Sequence, residues 1–521
     1  NEISYIVQDS FLNSDYNPVN VRPGGFYHQF LAEKYGSAGR LPYGRTYRAI
    51  EDVAPPREVP EAIGRDFAWY LDWVEFKEWA MCRYIVALRR MHESNGVKGV
   101  TFMTNLNPHL PEGVPTRMPS FEKATGGIVG YDFYRGTFMS YSGYHSMARV
   151  LKLMNTSMTY TWSAEFMSGT WQKILGSRVS DDHMRFMARC ALAQGCKALS
   201  WFMFHDRDTW GDSPCSNHGH ARPSLEVLRE TEDLCFNRIR GWDRLAPQMD
   251  CAVVYDLVQH RHTSVGDPSP CADNDNHVGR PAVAGVQAGL ASREYQGLFR
   301  LIEENGYQAA ACDIMHSDKP LRKYPLAFLP GSPVIEARAS RALARYVAAG
   351  GVLVVSGPWP TLDETGRPLK FMGRARPAPA AAAQAIKVGR GKLIWHAGWL
   401  CQEDAEKESL ASIAFVGKRL AAHAPAPHVK IRPTREFTYV PSLDLVHEPR
   451  NLGTAVLQRH AQETILFVLN HYPEAVTFEV TFGRAGATRL TNLMTGETIA
   501  VKRNRAIVDV DRKCGEIYRV H

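Results

Sequence analysis

The chemistry-bearing residues of this chain are carboxylates at the ends of strand-like segments, with aromatic side chains set close around them. Residues 157–171, Ser-Met-Thr-Tyr-Thr-Trp-Ser-Ala-Glu-Phe-Met-Ser-Gly-Thr-Trp, carry a β-prone run into Glu165, with Trp162, Gly169 and Trp171 nearby. A sugar ring offers an apolar face to a flat π surface, and its anomeric carbon accepts an oxygen nucleophile. An acid at a strand end among aromatic residues meets both needs. Cleavage with retention uses a second carboxyl group as acid/base. Glu2, preceded by Asn1, is a further acid at the end of a strand-like segment.

The elements that must position these groups follow one theme. Residues 98–105 read as a strand ending in Asn105, and 126–134 as one ending in Asp132 and Tyr134. Residues 157–165 end in Glu165, and 197–206 carry Trp201 and end in His205 and Asp206, with Trp210 just beyond. Helical stretches at 141–154 and 181–195 lie between them, the second closed by Gly195. Upstream, 24–35 is an amphipathic helix and 64–95 a long tryptophan-rich one, ending at Asn95-Gly96. Strand–helix alternation at roughly 30-residue spacing, with polar residues at each strand's C-terminal end, is the (β/α) barrel pattern. A doubly wound open sheet is the competing pattern. Four barrel strands follow the opening segment 1–7, about half a barrel.

Near residue 250 the pattern changes. Apolar strands at 251–258, 326–335 and 352–357 alternate with helices at 292–306 and 340–351, predicting a flavodoxin-like, glutamine-amidotransferase-like parallel sheet. Gly350, Gly351 and Gly357 stand in the order helix, glycines, strand, the reverse of a nucleotide-binding turn. The Ala/Pro run 376–385 reads as a surface loop. From about 430, short alternating segments at 464–472, 476–482, 487–501 and 505–512 predict a small antiparallel β-sandwich. The expected domains are therefore 1–247, 248–428 and 429–521.

Composition narrows the classes. The net charge of +7 over 521 residues is not concentrated in any Lys/Arg run, which argues against nucleic-acid binding. No apolar stretch is long enough to cross a bilayer, so no membrane partner is expected. Ten cysteines lack CxxC spacing and read as reduced, buried thiols, which favours a cytoplasmic setting. His218 and His220, with Asp212 and Cys215, fit no zinc spacing and read as a solvated loop, so no metal or cofactor is expected.

Several motifs together resemble two families of β-galactosidases. Ala-Glu-Phe-Met-Ser-Gly-Thr-Trp (164–171) is similar to the nucleophile motif Glu-Phe-x-x-Gly-Trp of glycoside hydrolase family 35. Trp201-Phe202-Met203-Phe204-His205 is similar to the Tyr-Met-Phe-His that follows it there. Thr104-Asn105, Asp132-Phe133-Tyr134 and Phe30 to Gly36 resemble segments of family 42, as does the three-domain layout. The resemblance implies a retaining exo-β-glycosidase of the β-galactosidase type, with Glu165 as nucleophile at the seventh strand and Glu2 as acid/base at the fourth. It implies that Asn1 contacts the sugar 2-hydroxyl, that Tyr134 donates to Glu165, and that Asn105, Trp162, Trp201, His205 and Trp210 line the pocket. It also implies an oligosaccharide or β-glycoside substrate and a homo-oligomer, trimer or dimer.

The chain departs from the pattern in two places. Ile3-Ser4 replace the aromatic that follows the acid/base, and Asp206-Arg207-Asp208-Thr209-Trp210-Gly211 replace Gly-Gly-Thr-Asn-Phe-Gly. An exo-β-D-glucosaminidase is the alternative, with Asp206 and Asp208 available to an amino sugar's ammonium group. A catalytically inactive carbohydrate-binding or scaffold protein is the alternative of another class. The strand count places the first half of the barrel outside this sequence, on a longer polypeptide or a partner chain.

Overall fold

The computed structural model describes residues 17–56, 64–106, 117–134, 139–171, 179–263, 288–373, 375, 377, 383–401, 410–440, 445–484 and 486–521. Asn1 and Glu2 lie outside the described residues.

Four parallel strands form the first sheet: β1 (Met103–Leu106), β2 (Ile128–Phe133), β3 (Trp162–Met167) and β4 (Ala198–Phe202), paired in chain order. Helices fill each interval: α3 (Met118–Thr125), α4 (Tyr141–Ser157) and α5 (Asp181–Ala193) between the strands, and α6 (Ser224–Asp233) after the last. Before them come α1 (Phe26–Tyr35) and the 30-residue α2 (Arg65–Ser94). Sequential parallel strands joined by helices are the β/α units of a barrel, with strand C-termini at one end.

Local chemistry explains the helix ends. Ser140 accepts from the Gly143 amide and Ser180 from the His183 amide, so each caps a helix N-terminus, and Asp181 and Asp182 complement the dipole of α5. Gly126 closes α3 in the left-handed region at φ 66°.

The strands are shorter than the sequence suggests, and one is shifted. Residues 98–102 lie outside β1. The segment 158–161, expected as strand, leads out of α4: the Met158 amide still donates to the Met154 carbonyl. Strand β3 therefore starts at Trp162 and runs two residues past Glu165.

The second sheet runs β9–β10–β8–β7–β5–β6 in space. Its strands are β5 (Cys251–Tyr255), β6 (Ala309–Asp313), β7 (Leu326–Pro330), β8 (Val352–Ser356), β9 (Ala383–Val388) and β10 (Gly391–His396). All pair in parallel except β9, an antiparallel edge. The parallel strands, in chain order, take the 2-1-3-4-5 arrangement of a flavodoxin-like fold. Ala383 to Ala385, expected in a loop, belong to β9. Their alternating exposure suits an edge strand that is half solvated.

Antiparallel sheets close the chain. A six-stranded sheet includes Gly453–His460, Glu463–Asn470, Arg489–Asn492 and Cys514–Val520, and it takes in the short strand Ala246–Pro247. A three-stranded sheet of Val429–Pro433, Val476–Phe482 and Arg505–Val510 accompanies it.

Helix α4 is where the three sheet systems meet. Its Lys152 Nζ lies 3.2 Å from Glu303 Oε1 and 2.8 Å from Gln308 Oε1, while Thr454 Oγ1 donates to Glu303 Oε2 at 3.1 Å. All four residues are buried. A charge pair removed from water keeps its place only when its remaining groups are bonded, as they are here.

Candidate active site

A bulge in β3 aims the central carboxylate. Tyr131 pairs with Ser163, but the next residue, Asp132, pairs with Glu165, so Ala164 is an extra residue. Across the other edge, Ser163 pairs with Leu199 and Phe166 with Trp201, three residues against two. An inserted residue reverses the alternation of side chains. Glu165 thus shares the face of Trp162 and Asp132, while Phe166 turns into the helix-covered core, where it is fully buried.

Three side chains meet at this carboxylate from three strands. The Tyr134 hydroxyl, just after β2, donates to Glu165 Oε2. Asn105 Nδ2, on β1, donates to Glu165 Oε1 at 3.3 Å and to Asp132 Oδ2 at 2.9 Å. One amide group uses its two hydrogens to bridge two carboxylates, which offsets their mutual repulsion. Asp132 is buried.

An aromatic wall stands beside them. Trp210 lies edge-on to Tyr134, with ring centroids 6.1 Å apart, and to Phe202 at 5.4 Å. Phe202 in turn meets Tyr134 at 5.9 Å and 89°. Trp210 is carried there by a two-residue antiparallel ladder, Thr170–Trp171 with Trp210–Gly211. Gly169 makes this ladder possible. Its φ is 102°, and a Cβ there would lie 2.8 Å from Trp210 Nε1 and 2.9 Å from the Gly211 carbonyl oxygen.

The structure sorts the remaining expected residues. Trp162 lies one layer deeper on the same face: a Cβ at Gly130, two residues before Asp132, would approach its Cε2 to 2.6 Å. It forms floor rather than wall. Trp201 does not face the site. Strand alternation turns it to the opposite face, where it packs edge-on against Phe166 at 5.3 Å and lines a cavity of about 870 Å³ with Leu225, Leu228 and Trp242. Phe202, its neighbour, takes the place expected for it. His205 is exposed in the loop after β4, and its Nδ1 meets the Asp206 carbonyl oxygen at 2.9 Å. No contact joins it to Glu165 among the described residues.

Asp206 is also corrected. Its carboxylate is held bidentately by Arg222, at 2.8 and 2.6 Å, and accepts from the Ser213 amide at 2.9 Å. The hydrogen bonds from Arg222 keep this carboxyl below its ordinary pKa. It is thus engaged by a guanidinium, with three of its acceptor positions already filled. His218 and His220 are exposed. Among the described residues no group of three or more His, Cys, Asp or Glu side chains is placed to hold a metal. The nine described cysteines are all free.

Asp132 and Phe202 are the site residues that sequence reasoning left out. The alternation Asp132-x-Tyr134 was a signal for the first. Nothing in the sequence distinguished Phe202 from Trp201.

With this geometry in place, comparisons with known proteins give the fold independent support. The family model for the second domain of GLMA-like proteins matches residues 286–375. Over 82 residues, 15% of the chain, the sequence is 35% identical to the exo-β-D-glucosaminidase of Pyrococcus horikoshii, and this stretch spans 10% of that protein. The β-galactosidase structure from Bacillus circulans sp. alkalophilus superimposes with a TM-score of 0.67 at 15% identity, covering 95% of this chain and 76% of that one. Gan42B, a GH42 β-galactosidase from G. stearothermophilus, gives 0.66 at 13% identity, covering 95% and 75%. Along nearly its whole length, the chain has the fold of these β-galactosidase structures.

Proposed function

We propose that the chain belongs to a retaining, exo-acting β-glycosidase of the β-galactosidase type, with Glu165 as its nucleophile. One observation carries this reading: a carboxylate at the C-terminal end of a parallel strand, fixed by Tyr134 and Asn105, stands beside an aromatic wall. Tyr134 anchors Oε2, which leaves Oε1, held among the described residues by the Asn105 bond at 3.3 Å, to attack the anomeric carbon. The bond to the departing oxygen breaks as that oxygen takes a proton from the acid/base, assigned to Glu2. The same carboxylate then deprotonates a water that attacks the glycosyl–Glu165 ester and releases the sugar with its configuration retained.

Asn1 is assigned to the sugar 2-hydroxyl, and Trp210 with Phe202 to the sugar's apolar face. Substrates are the terminal β-linked sugars of oligosaccharides or β-glycosides, the chemistry uses no cofactor, and the protein works as a homo-oligomer. The domains divide at 247/248 and 428/429.

A second reading, exo-β-D-glucosaminidase, draws on the 35% identical stretch and the GLMA-like match. The test is turnover by the full natural polypeptide on aryl β-D-galactoside and aryl β-D-glucosaminide. The first reading expects hydrolysis of the galactoside. Preference for the glucosaminide transfers the assignment to the second. Turnover of no aryl β-glycoside in a broad panel overturns both and leaves an inactive carbohydrate-binding protein.

A further inference from the structure

The loop between β4 and α6, residues 203–223, exposes many of its side chains and is gathered around the ion pair of Asp206 and Arg222. Arg222 places both terminal nitrogens on Asp206 and also donates from Nη1 to the Ser213 carbonyl at 2.7 Å. Asp206 accepts the Ser213 amide, and its own amide donates to the Cys215 carbonyl at 2.9 Å. The pair therefore ties the loop's beginning, middle and end together. It encloses the turn 207–210, in which the Arg207 and Trp210 backbones bond to each other. Trp210 leaves that turn to reach Tyr134, and Tyr134 donates to Glu165.

We propose that Arg222 and Asp206 form a clasp that positions Trp210 against Tyr134 and so shapes the sugar-binding wall. This role rests on the reading of Glu165 as the nucleophile. Other ties on Trp210 are local: the two-residue ladder, the backbone bonds to Arg207, a 3.5 Å contact from its Nε1 to the Ser168 carbonyl, and its edge-on contacts with Phe202 and Tyr134. The clasp is what fixes the loop that carries them. A planar fork on a carboxylate fixes direction as well as distance, which a lysine in the same place does not. Neither residue touches the reacting atoms. They are positioning residues, and the side chain they position makes the contact.

The test uses the full natural polypeptide labelled with 5-fluorotryptophan, the Trp210 resonance being assigned by its loss in Trp210→Phe. In Arg222→Gln the Trp210 fluorine resonance moves or broadens while the other tryptophan resonances hold. KM for an aryl β-galactoside rises roughly tenfold with kcat little changed. Arg222→Lys, which keeps the charge without the fork, gives an intermediate shift and decides the matter where the glutamine variant does not fold. The double exchange Asp206→Arg with Arg222→Asp restores part of the lost KM. An unmoved Trp210 resonance in both single variants overturns the clasp, as does a shift shared by all the tryptophans. Where the wild type hydrolyses no glycoside, the nucleophile reading fails, and the resonance still decides whether the clasp exists.

Discussion

Tyr134 donates its hydroxyl hydrogen to Oε2 of Glu165 from the end of the neighbouring strand. This bond anchors one carboxylate oxygen and, in the proposed mechanism, leaves the other for chemistry. A hydrogen bond to a charged group contributes about 1.5–3 kcal/mol. Tyr134→Phe should therefore lower kcat on an aryl β-galactoside roughly 10- to 100-fold, with KM changed far less. Steady-state kinetics of the two proteins check this, and an unaltered kcat would remove Tyr134 from the mechanism.

Asn105 is the bridge between Asp132 and Glu165. Asn105→Ala leaves two carboxylates facing each other with no shared donor. Activity should fall by about tenfold or more, and Asp132→Asn in the same protein should recover part of it, since one negative charge is then gone. Additive losses in the double-mutant cycle would show that the bridge does not couple the pair.

Gly169 turns the chain at φ 102° against Trp210, Gly211 and Ser213. Gly169→Ala meets both the strained backbone and the crowding. A cost of about 1–3 kcal/mol is expected. Calorimetry should record a lower melting temperature, accompanied by a raised KM as Trp210 is pushed from Tyr134.

Much of the architecture around this site was legible in the sequence. Helix α2 could be read from its tryptophan-rich run and the Asn95-Gly96 stop, and the β2 segment as a strand ending in Asp132 and Tyr134. Local composition misled at 158–161, where Met158 caps α4 with its amide still bonded to the Met154 carbonyl and the chain pairs as a strand only from Trp162. The Trp201 and Phe202 exchange has another cause. Strand alternation has a period of two, so only the register against β3, bulge included, decides which ring faces Glu165. Asp206 was read as a free acid because its partner, Arg222, lies sixteen positions on and reaches it only through the folded loop.

Glu336, in the second sheet system, predicts a pH response. Burial, and then the neighbouring Asp256 and Glu364, raise its carboxyl to about 8. A carboxyl raised in the folded state binds its proton more tightly there than in the unfolded chain, whose value is near 4.5. Its stabilising contribution is complete below about pH 4.5, where both states hold the proton, and is lost progressively as pH rises from there through about 8. The thermal midpoint should therefore fall as pH rises from about 4.5 to about 8 and level off above that, and Glu336→Gln should lessen that fall. Parallel melting curves for the two proteins across this range would contradict the assignment.

Lys152 and Glu303 form the buried pair where the three sheet systems meet. Lys152→Met removes one charge and strands the other in the interior, which costs about 3–5 kcal/mol. Pairing it with Glu303→Gln should return much of that loss. A thermal unfolding series on the single and double variants reads both effects.

The nucleophile assignment meets its most direct test in mechanism-based trapping. The full natural polypeptide is treated with a 2-deoxy-2-fluoro-β-galactosyl fluoride, digested and sequenced by mass spectrometry. The glycosyl-enzyme reading predicts stoichiometric inactivation with the fluorosugar ester on Glu165, and no labelling of Glu165→Gln. Label on a different carboxylate, or hydrolysis of an aryl β-galactoside by Glu165→Gln at the wild-type rate, would contradict it.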